Sequence, residues 1–513
     1  MSVALHRTRR QALKWSFILN WSTKGITIAS MFVLARILGP EIFGVSALAM
    51  VLVALIELVV DSGLAQAVVQ QRDIREEDLD SLFWFTAVVS IILSGIGYLG
   101  ADALAWACGE PEVSLIFATL SPLVIMKGLG VIQQGLARRE LRFKELALRG
   151  TLATGLGSLV AVICAVVGFG VWSLVLQYLV TEFVGLILLW RLSKWRPQFR
   201  FEWRRAKSFF HFSSGVLLAQ LGAFVGNQSD VFVTGAFFGP TAVGVLRLAN
   251  RLVNLFVDML VRPVQAIALP RLAALRGDVG AIQIETLKLM RISTLLLMPC
   301  IAVAMVGAEA VTSILGPNWK AATWSIQILA IVGIAKSLTL LTGPAMLALG
   351  RSHTVALGSW IQGAVMVVAL LIAGLAAEKW SESAQITLIA AARSAVFVLL
   401  VVPIQVGFMS RATGTSLIRI CRTILPGVLA MVITLSAGFA LRVVLESSGI
   451  GSPSVAAWTS AVGSGLLAFV MVHRSTRTLR GLRTPPQSRA TTKVENSNLE
   501  RPTTTPRYSL GDE

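Results

Sequence analysis

The chain has 513 residues, of which 55% are hydrophobic and 14% are charged. Its mean hydropathy of +0.74 excludes an ordinary soluble globular fold. The net charge of +18 would indicate nucleic acid binding in a soluble protein, but here the basic residues concentrate in alternate loops between apolar runs. The composition therefore predicts an all-α polytopic membrane protein with no nucleic acid partner.

Apolar runs of about 20 residues recur along the chain, each long enough to cross a hydrocarbon core about 30 Å thick. We number these runs as spans in chain order. The sequence predicts about fourteen transmembrane helices, at roughly residues 15–37, 43–68, 82–106, 114–136, 147–168, 171–191, 209–232, 243–267, 287–311, 322–347, 353–376, 385–408, 423–445 and 453–473.

Lysine and arginine divide unevenly between the two sides of the predicted membrane. With the N-terminus inside, the outer connections hold only Lys320, Lys379 and Arg442, whereas the inner segments hold most of the chain's 45 Lys and Arg residues. Positive charge is retained on the cytoplasmic side of a membrane. Both termini are therefore predicted to be cytoplasmic.

Two short stretches share a pattern of Gly, Pro, Gly and Val. LGPEIFGV at 38–45 and FGPTAVGV at 238–245 carry these four residues at the same spacing, 200 residues apart. Each stretch lies between two apolar runs, so spans 7 and 8 are expected to repeat spans 1 and 2. The repeat unit is then six helices in one orientation, an arrangement found in transporters that bind substrate between two halves.

This duplication divides the chain into predicted units. An N-terminal six-helix lobe at 1–191 is followed by a basic cytoplasmic linker at 192–208 and a C-terminal six-helix lobe at 209–408. Two extra transmembrane helices are expected at 409–473. The tail at 474–513 is rich in Thr, Pro, Ser and Arg and is predicted to be disordered.

Span 8 carries a polar face. At about 100° per residue, six polar side chains fall within about 120° of one another on a helical wheel. Charges at bilayer depth cost roughly 3 kcal/mol each, so we expect them to face protein or a water-filled cavity and to bind substrate. The alternative is a ladder of internal salt bridges. The six residues are Arg247, Asn250, Arg251, Asn254, Asp258 and Arg262.

Lysines in other spans are further candidates for substrate binding. Lys24 lies in span 1, Lys127 in span 4 and Lys336 in span 10. The last two fall at similar places in the fourth helix of each half, which supports the register of the repeat. We expect all three to assist the arginines of span 8.

Carboxylates within the spans are candidates for coupling or gating. Glu57 and Asp61 lie one turn apart in span 2, so this span is anionic where its repeat partner is cationic. They either neutralise arginines of span 8 between the halves or carry a coupling proton or cation. Asp230 and Asp258 complete this set, Asp230 as a cavity group or as a hydrogen-bonding group between helices.

Sequence motifs for catalysis and metal binding are missing. The chain has no P-loop, so ATP hydrolysis is not expected. Its 4 Cys and 4 His show no ligand spacing, and the histidines fall at predicted cytoplasmic ends of spans. We therefore expect a protein that is not an enzyme, with no catalytic residue, no metal and no cofactor.

Five stretches together carry a family resemblance. They are LARILGPEIFG at 34–44, QGLARRELRFK at 134–144, GFGVWSLV at 168–175, FGP at 238–240 with Gly244, and ILGPNWK at 314–320. In this order they resemble the polysaccharide-exporter branch of the multidrug/oligosaccharidyl-lipid/polysaccharide (MOP) flippase superfamily, similar to Wzx-type flippases for exopolysaccharide, colanic acid and O-antigen. The resemblance covers about residues 12–475.

The resemblance implies a function as well as two lobes around a central cavity. The implied substrate is an oligosaccharide repeat unit linked through diphosphate to undecaprenol. By alternating access it would cross the bacterial plasma (inner) membrane for exopolysaccharide or lipopolysaccharide biosynthesis. Implied partners are membrane lipids, a polymerase and a chain-length regulator. Arginines suit this cargo because a guanidinium group binds two phosphate oxygens at once.

Three other functions stay open on the sequence alone. The first is a cation-coupled multidrug antiporter of the same superfamily, which would depend on Glu57 and Asp61. The others are an outer-face polysaccharide polymerase and a scaffold that transports nothing. The basic cytoplasmic loops and the five family stretches favour the flippase.

Overall fold

The computed structural model describes residues 2–61, 68, 74–140, 142–448 and 453–475, and every regular element among them is a helix. Within this part of the chain, 11 helices are long and apolar enough to cross a membrane, and the apolar helix Ser454–Val470 is shorter. The all-α polytopic prediction is confirmed. The exact count of fourteen spans and the division into lobes stay predictions.

The first half of the chain forms eight helices. Predicted span 4 is interrupted at Pro122 and again before Val131, so three short helices replace one long one. The helices are α1 Ser2–Asp61, α2 Glu76–Leu99, α3 Ala101–Cys108, α4 Glu112–Leu120, α5 Pro122–Gly128, α6 Val131–Arg139, α7 Phe143–Val167 and α8 Trp172–Leu192.

The second half continues with α9 and ends with the two helices that follow the repeat. A 3-10 turn, Pro317–Trp319, precedes α13, and a π-helical segment, Phe397–Val401, joins α16 to α17. The helices are α9 Trp203–Leu260, α10 Arg262–Ala273, α11 Val279–Val306, α12 Ala308–Leu315, α13 Ala322–Thr339, α14 Thr342–Ala348, α15 Ser352–Ala377, α16 Glu382–Val396, α17 Val402–Thr413, α18 Leu417–Ser447 and α19 Pro453–Ser475.

The two repeated stretches form matching kinks in α1 and α9. Gly39 has φ 78° and ψ 174°, and Gly239 has φ 74° and ψ −178°. Only glycine adopts this region without strain. Pro40 and Pro240 then begin the next helical segment, where a missing N–H costs nothing. The shared sequence pattern therefore encodes a shared bend.

The two kinks also touch each other. A methyl group on Gly44 would lie 1.7 Å from the carbonyl oxygen of Pro240, and one on Gly244 would lie 1.8 Å from the carbonyl oxygen of Pro40. These distances are far below van der Waals contact, so each glycine lets the other copy's backbone approach. We call Pro40, Gly44, Pro240 and Gly244 the glycine crossing.

Apolar side chains gather in clusters on either side of this crossing. One cluster includes Val45 and Leu82 and draws mainly on α1, α2 and α4 to α6. Another includes Leu248 and Leu297 and draws on α9, α11, α13, α15 and α16. Ala35 of α1 belongs to this second cluster, so the first helix packs against the second half of the chain.

Trp319 fastens the ILGPNWK stretch to α1. Its side chain is 1% exposed, and its indole Nε1 donates a hydrogen bond of 2.9 Å to the carbonyl oxygen of Ala35. Its ring meets that of Phe43 edge to face, with 5.8 Å between centroids. Arg36 adds a hydrogen bond to the carbonyl oxygen of Ile314. This contact lies close to the glycine crossing along α1.

We expect Trp319→Ala to destabilise the protein by about 3–5 kcal/mol, because it leaves a cavity and an unpaired carbonyl. Trp319→Phe keeps an aromatic ring and should cost only about 1–2 kcal/mol. Thermal unfolding of both purified variants in detergent measures the difference. Equal transition temperatures for wild type and Trp319→Ala would show that the indole does not hold this junction.

Candidate functional site

A cavity of about 350 Å³ lies between α1, α8 and α9. We call it the central cavity. Its charged lining consists of the cations Lys24, Arg247 and Arg251 and one carboxylate, Asp258. The neutral polar lining is formed by Thr27, Ser30, Ser46, Gln177, Tyr178, Asn250 and Asn254.

The periodicity of α9 places its polar stripe in this cavity. Leu248, Ala249 and Val253 lie on the opposite side of the helix and are buried in the apolar core. The polar residues between them therefore turn the other way. Of the six that the sequence singled out, five line the central cavity. The sixth, Arg262, begins α10.

Side-chain hydrogen bonds hold two stripe residues in place. Arg247 donates a hydrogen bond of 2.7 Å to the side-chain oxygen of Gln228. Asn250 donates one of 3.0 Å to the carboxylate of Asp230. Arg251 lines the cavity and makes no hydrogen bond or ion pair with any described residue. The charges of Arg247 and Arg251 thus have no directly bonded carboxylate in the described structure.

Asp258 is shared between two cations. It lies 3.2 Å from Nζ of Lys24 on α1 and also pairs with Arg262 one turn along its own chain. The salt-bridge ladder considered from the sequence is therefore present at Asp258 but does not extend to Arg251. Positive charge exceeds negative charge along the lining, so the cavity attracts anions.

The two ends of the central cavity differ. Near Lys24 and Arg262, side chains are 50% and 66% exposed. At the other end Leu34, Phe43 and Ser46 line the cavity next to the glycine crossing, and Leu34 and Ser46 are buried. The cavity is therefore closed beside the crossing and accessible beside Lys24.

Asp230 forms a buried ion pair with Arg393 of α16. Their side chains are 5% and 4% exposed. Oδ1 of Asp230 and Nε of Arg393 have no hydrogen-bond partner. Through Asn250, this pair is linked to the cavity lining without entering it. We therefore expect this ion pair to stabilise the fold rather than to contact the substrate.

Removing one partner of this pair should be costly. We expect Arg393→Leu to lower the free energy of unfolding by about 3–5 kcal/mol, because Asp230 then stays buried and unpaired. Adding Asp230→Leu should recover most of that loss. Unfolding of the single and double variants in detergent measures this coupling, and purely additive losses would contradict it.

Lys127 lies in a different cavity of about 220 Å³, enclosed by α5 to α8. Its Nζ lies 2.6 Å from the carboxylate of Glu182. Arg149 lines the same cavity and donates a hydrogen bond of 2.7 Å to the carbonyl oxygen of Gly185. Glu57 of α1 interacts electrostatically with Lys127, and the side chain of Asp61 lies outside the described residues.

Lys336 lies in a third cavity, of about 350 Å³, which we call the lateral cavity. Its Nζ donates a hydrogen bond of 2.7 Å to Asn254, which itself lines the central cavity. It also lies 6.0 Å from the ring centroid of Phe397. Lys127 and Lys336 thus occupy separate cavities, and only Lys336 is bonded to the stripe of α9.

Sequence reasoning missed the contribution of α8 to the central cavity. Gln177 and Tyr178 lie within an apolar span, and such an interruption was the available signal. Gln228, which orients Arg247, gave no signal because its partner lies on the other side of the kink. Among the described residues, no group of three His, Cys, Asp or Glu side chains is placed to hold a metal ion.

Solved structures with the same arrangement of helices define the class of protein. "Lipid II flippase MurJ, inward closed conformation" aligns with a TM-score of 0.67 at 12% identity, over 90% of this chain and 99% of that one. An inward-facing multidrug resistance MATE family transporter of the MOP superfamily aligns with a TM-score of 0.56 at 17% identity, over 78% and 96%. At these identities the likeness establishes the fold alone, which is that of an all-helical multi-pass membrane protein.

The family follows from the sequence. The profile described as "Polysaccharide biosynthesis protein" matches residues 33–323, and the chain belongs to this family. That match confirms the resemblance drawn from the five stretches.

Three curated proteins are similar to this chain in sequence. The succinoglycan biosynthesis transport protein ExoT of Rhizobium meliloti (strain 1021) is 27% identical over 63% of this chain and 66% of its own. The teichuronic acid biosynthesis protein TuaB of Bacillus subtilis (strain 168) is 25% identical over 58% of this chain and 62% of its own. The lipopolysaccharide biosynthesis protein WzxC of Escherichia coli (strain K12) is 23% identical over 66% of this chain and 69% of its own. The matches span about two thirds of these relatives.

Proposed function

We propose that the protein moves undecaprenyl-diphosphate-linked oligosaccharide repeat units across the plasma membrane, for exopolysaccharide or lipopolysaccharide biosynthesis. The observation that carries this proposal is the lining of the central cavity, where Lys24, Arg247 and Arg251 face a single carboxylate. The protein acts as a transporter without a catalytic step.

A diphosphate cannot cross hydrocarbon unaided, because burying its charge without a partner costs many kcal/mol. Arg251 lines the cavity with no bonded protein partner among the described residues, so its guanidinium group is available to phosphate oxygens. Arg247 is held by a neutral amide rather than by a carboxylate. The cavity thus supplies charge without requiring a protein carboxylate to leave first.

The names of the relatives agree with this cargo. ExoT is named as a transport protein of succinoglycan biosynthesis, and TuaB and WzxC are named for teichuronic acid and lipopolysaccharide biosynthesis. Three different polymers within one family indicate a shared carrier chemistry. A diphosphate-linked lipid carrier would be the common element that the cationic cavity recognises.

The difference between the two ends of the cavity supports transport by alternating access. The accessible end lies beside Lys24, on the side of the α1 N-terminus, which the distribution of basic loops predicts to be cytoplasmic. The glycine crossing closes the other end. The cargo head would enter from the inner leaflet, and separation of the crossing would release it outward while the polyprenyl tail stays in lipid.

The multidrug antiporter is the weaker alternative. Organic cations would meet the three cations of the central cavity and be repelled. A carboxylate site for them would have to lie elsewhere, and Glu182 beside Lys127 is already paired. Charge in the central cavity therefore favours an anionic cargo.

Deletion of the gene provides the test. Cells lacking the protein should stop exporting polymer and accumulate complete repeat units on the lipid carrier, accessible only from the cytoplasmic face. Loss of a polymerase would instead deliver single units to the outer face. Single units outside the deletion strain, or normal polymer, would contradict the proposal.

A further inference from the structure

The lateral cavity has a lining unlike that of the central one. It lies between α9, α10, α13 to α15, the π-helical segment and α17, and among the residues whose side chains are described no carboxylate lines it. Lys336, at the boundary with the central cavity, is the only charged residue in that described lining. Its neutral hydrogen-bonding groups are Asn227, Gln265, Thr339, Thr342, Thr354, Ser359, Gln362 and Gln405.

Amide side chains in this cavity form an ordered relay. The buried hydroxyl of Thr342 shares its one proton between the carbonyl oxygen of Thr339, at 2.6 Å, and the side-chain oxygen of Gln405, at 2.9 Å. Gln405 in turn donates one of 3.4 Å to the side-chain oxygen of Gln362. The Gln362 amide nitrogen makes no hydrogen bond with a described residue. An amide held this way presents donors in a fixed direction to a ligand hydroxyl.

Two aromatic rings complete the lining. Phe397 begins the π-helical segment Phe397–Val401, and Phe408 lies about three turns further along the chain. Single π-helical turns inside α-helices occur frequently at functional sites. A sugar ring has hydroxyl groups at its edge and an apolar C–H face, so amides together with aromatic rings match it better than they match an ion.

The two cavities share a wall. Nζ of Lys336, from the lateral side, lies 2.7 Å from Oδ1 of Asn254, from the central side. In a ligand with a diphosphate joined to a sugar, the diphosphate would match the cationic central cavity and the sugar would match the amide and aromatic lining of the lateral cavity. The hydrogen bond between Lys336 and Asn254 joins the linings of the two cavities.

We propose that the lateral cavity is a carbohydrate-binding site that takes a sugar of the repeat unit while the central cavity holds the diphosphate. This assignment rests on the proposed function and adds the place where the sugar is recognised. Gln362, Gln405 and Phe408 select the sugar, and Lys336 with Asn254 marks the junction of sugar and phosphate.

Binding of two probes to the purified full chain tests this. The probes are undecaprenyl diphosphate and the same lipid carrying the repeat unit extracted from the host's membranes. Wild type should bind the glycosylated lipid about 10-fold more tightly, the worth of one or two neutral hydrogen bonds. Gln362→Leu and, separately, Phe408→Leu should abolish this preference and leave the affinity for undecaprenyl diphosphate unchanged.

Gln385→Leu on α16, outside all three cavities, is the matched control and should retain the preference. Arg247→Gln/Arg251→Gln should weaken binding of both undecaprenyl diphosphate and the glycosylated lipid. That result tests the central cavity and not the lateral one. If wild type binds neither lipid, the proposed function fails. If wild type prefers the glycosylated lipid and both lateral variants keep that preference, or if wild type binds the two lipids equally, the lateral assignment is overturned while the flippase proposal stands.

Discussion

Polymer export should fall by at least about 100-fold when Arg247 and Arg251 are both replaced by glutamine. Both side chains line the central cavity, and neither is bonded to a carboxylate in the described structure. A hydrogen bond to a charged group is worth about 1.5–3 kcal/mol, and each 1.4 kcal/mol is a factor of ten. Exported polymer per cell, at matched abundance of the membrane protein, measures the effect.

The control for this experiment is a second pair of arginines. Arg276 and Arg291 are exposed and line none of the three cavities, so Arg276→Gln/Arg291→Gln should export near the wild-type level. Arg251→Glu should be more harmful than Arg251→Gln, since a carboxylate repels the diphosphate. Normal export by Arg247→Gln/Arg251→Gln would remove these residues from the substrate site.

Gly44→Ala and Gly244→Ala should each lower export at least about 10-fold while the protein still reaches the membrane. Each methyl group would lie within 1.8 Å of the carbonyl oxygen of a proline in the other kink. The closed end of the central cavity then becomes unfavourable relative to the open one. A transporter held in one state does not complete its cycle.

Cysteine labelling reports this shift directly. Ser46 lines the central cavity, is 3% exposed and lies beside the crossing. In a background free of Cys108, Cys164, Cys300 and Cys421, Ser46→Cys should react slowly with a membrane-impermeant maleimide added outside cells. Adding Gly44→Ala should raise that rate.

Gly95→Ala provides the matched control, because nothing lies within 4 Å of the added methyl group. Alanine is also a better helix former than glycine, so this variant should fold and export normally. Unchanged labelling of Ser46→Cys in the Gly44→Ala protein, with normal export, would show that the crossing does not close the cavity.

Sequence patterns predicted the helices and the stripe well, for local reasons. The spacing of Arg247, Asn250, Arg251, Asn254 and Asp258 determines their common face on any α-helix, and the structure places all five on the central cavity. The equal spacing of Gly and Pro in the two stretches indicated a duplication. The structure gives Gly39 and Gly239 the same positive φ, because this backbone conformation depends on the local sequence.

Features that depend on contacts between distant segments could not be predicted from the sequence. The mutual approach of Gly44 and Gly244 requires the two kinks to meet, and their spacing along the chain does not specify this. The separation of Lys127 and Lys336 into their own cavities follows from the break of predicted span 4 at Pro122 and from the bond between Lys336 and Asn254. The carbohydrate-type lining of the lateral cavity comes from six helices and one π-helical segment.

Transport in reconstituted vesicles tests the central claim most directly. Purified protein is placed in vesicles with a fluorescent undecaprenyl-diphosphate-linked repeat unit, and a membrane-impermeant reductant measures how fast the lipid changes leaflet. The cationic cavity predicts rapid movement with wild type and near-background movement with Arg247→Gln/Arg251→Gln. Movement at the rate of protein-free vesicles with wild type, or equal movement with both proteins, would contradict it.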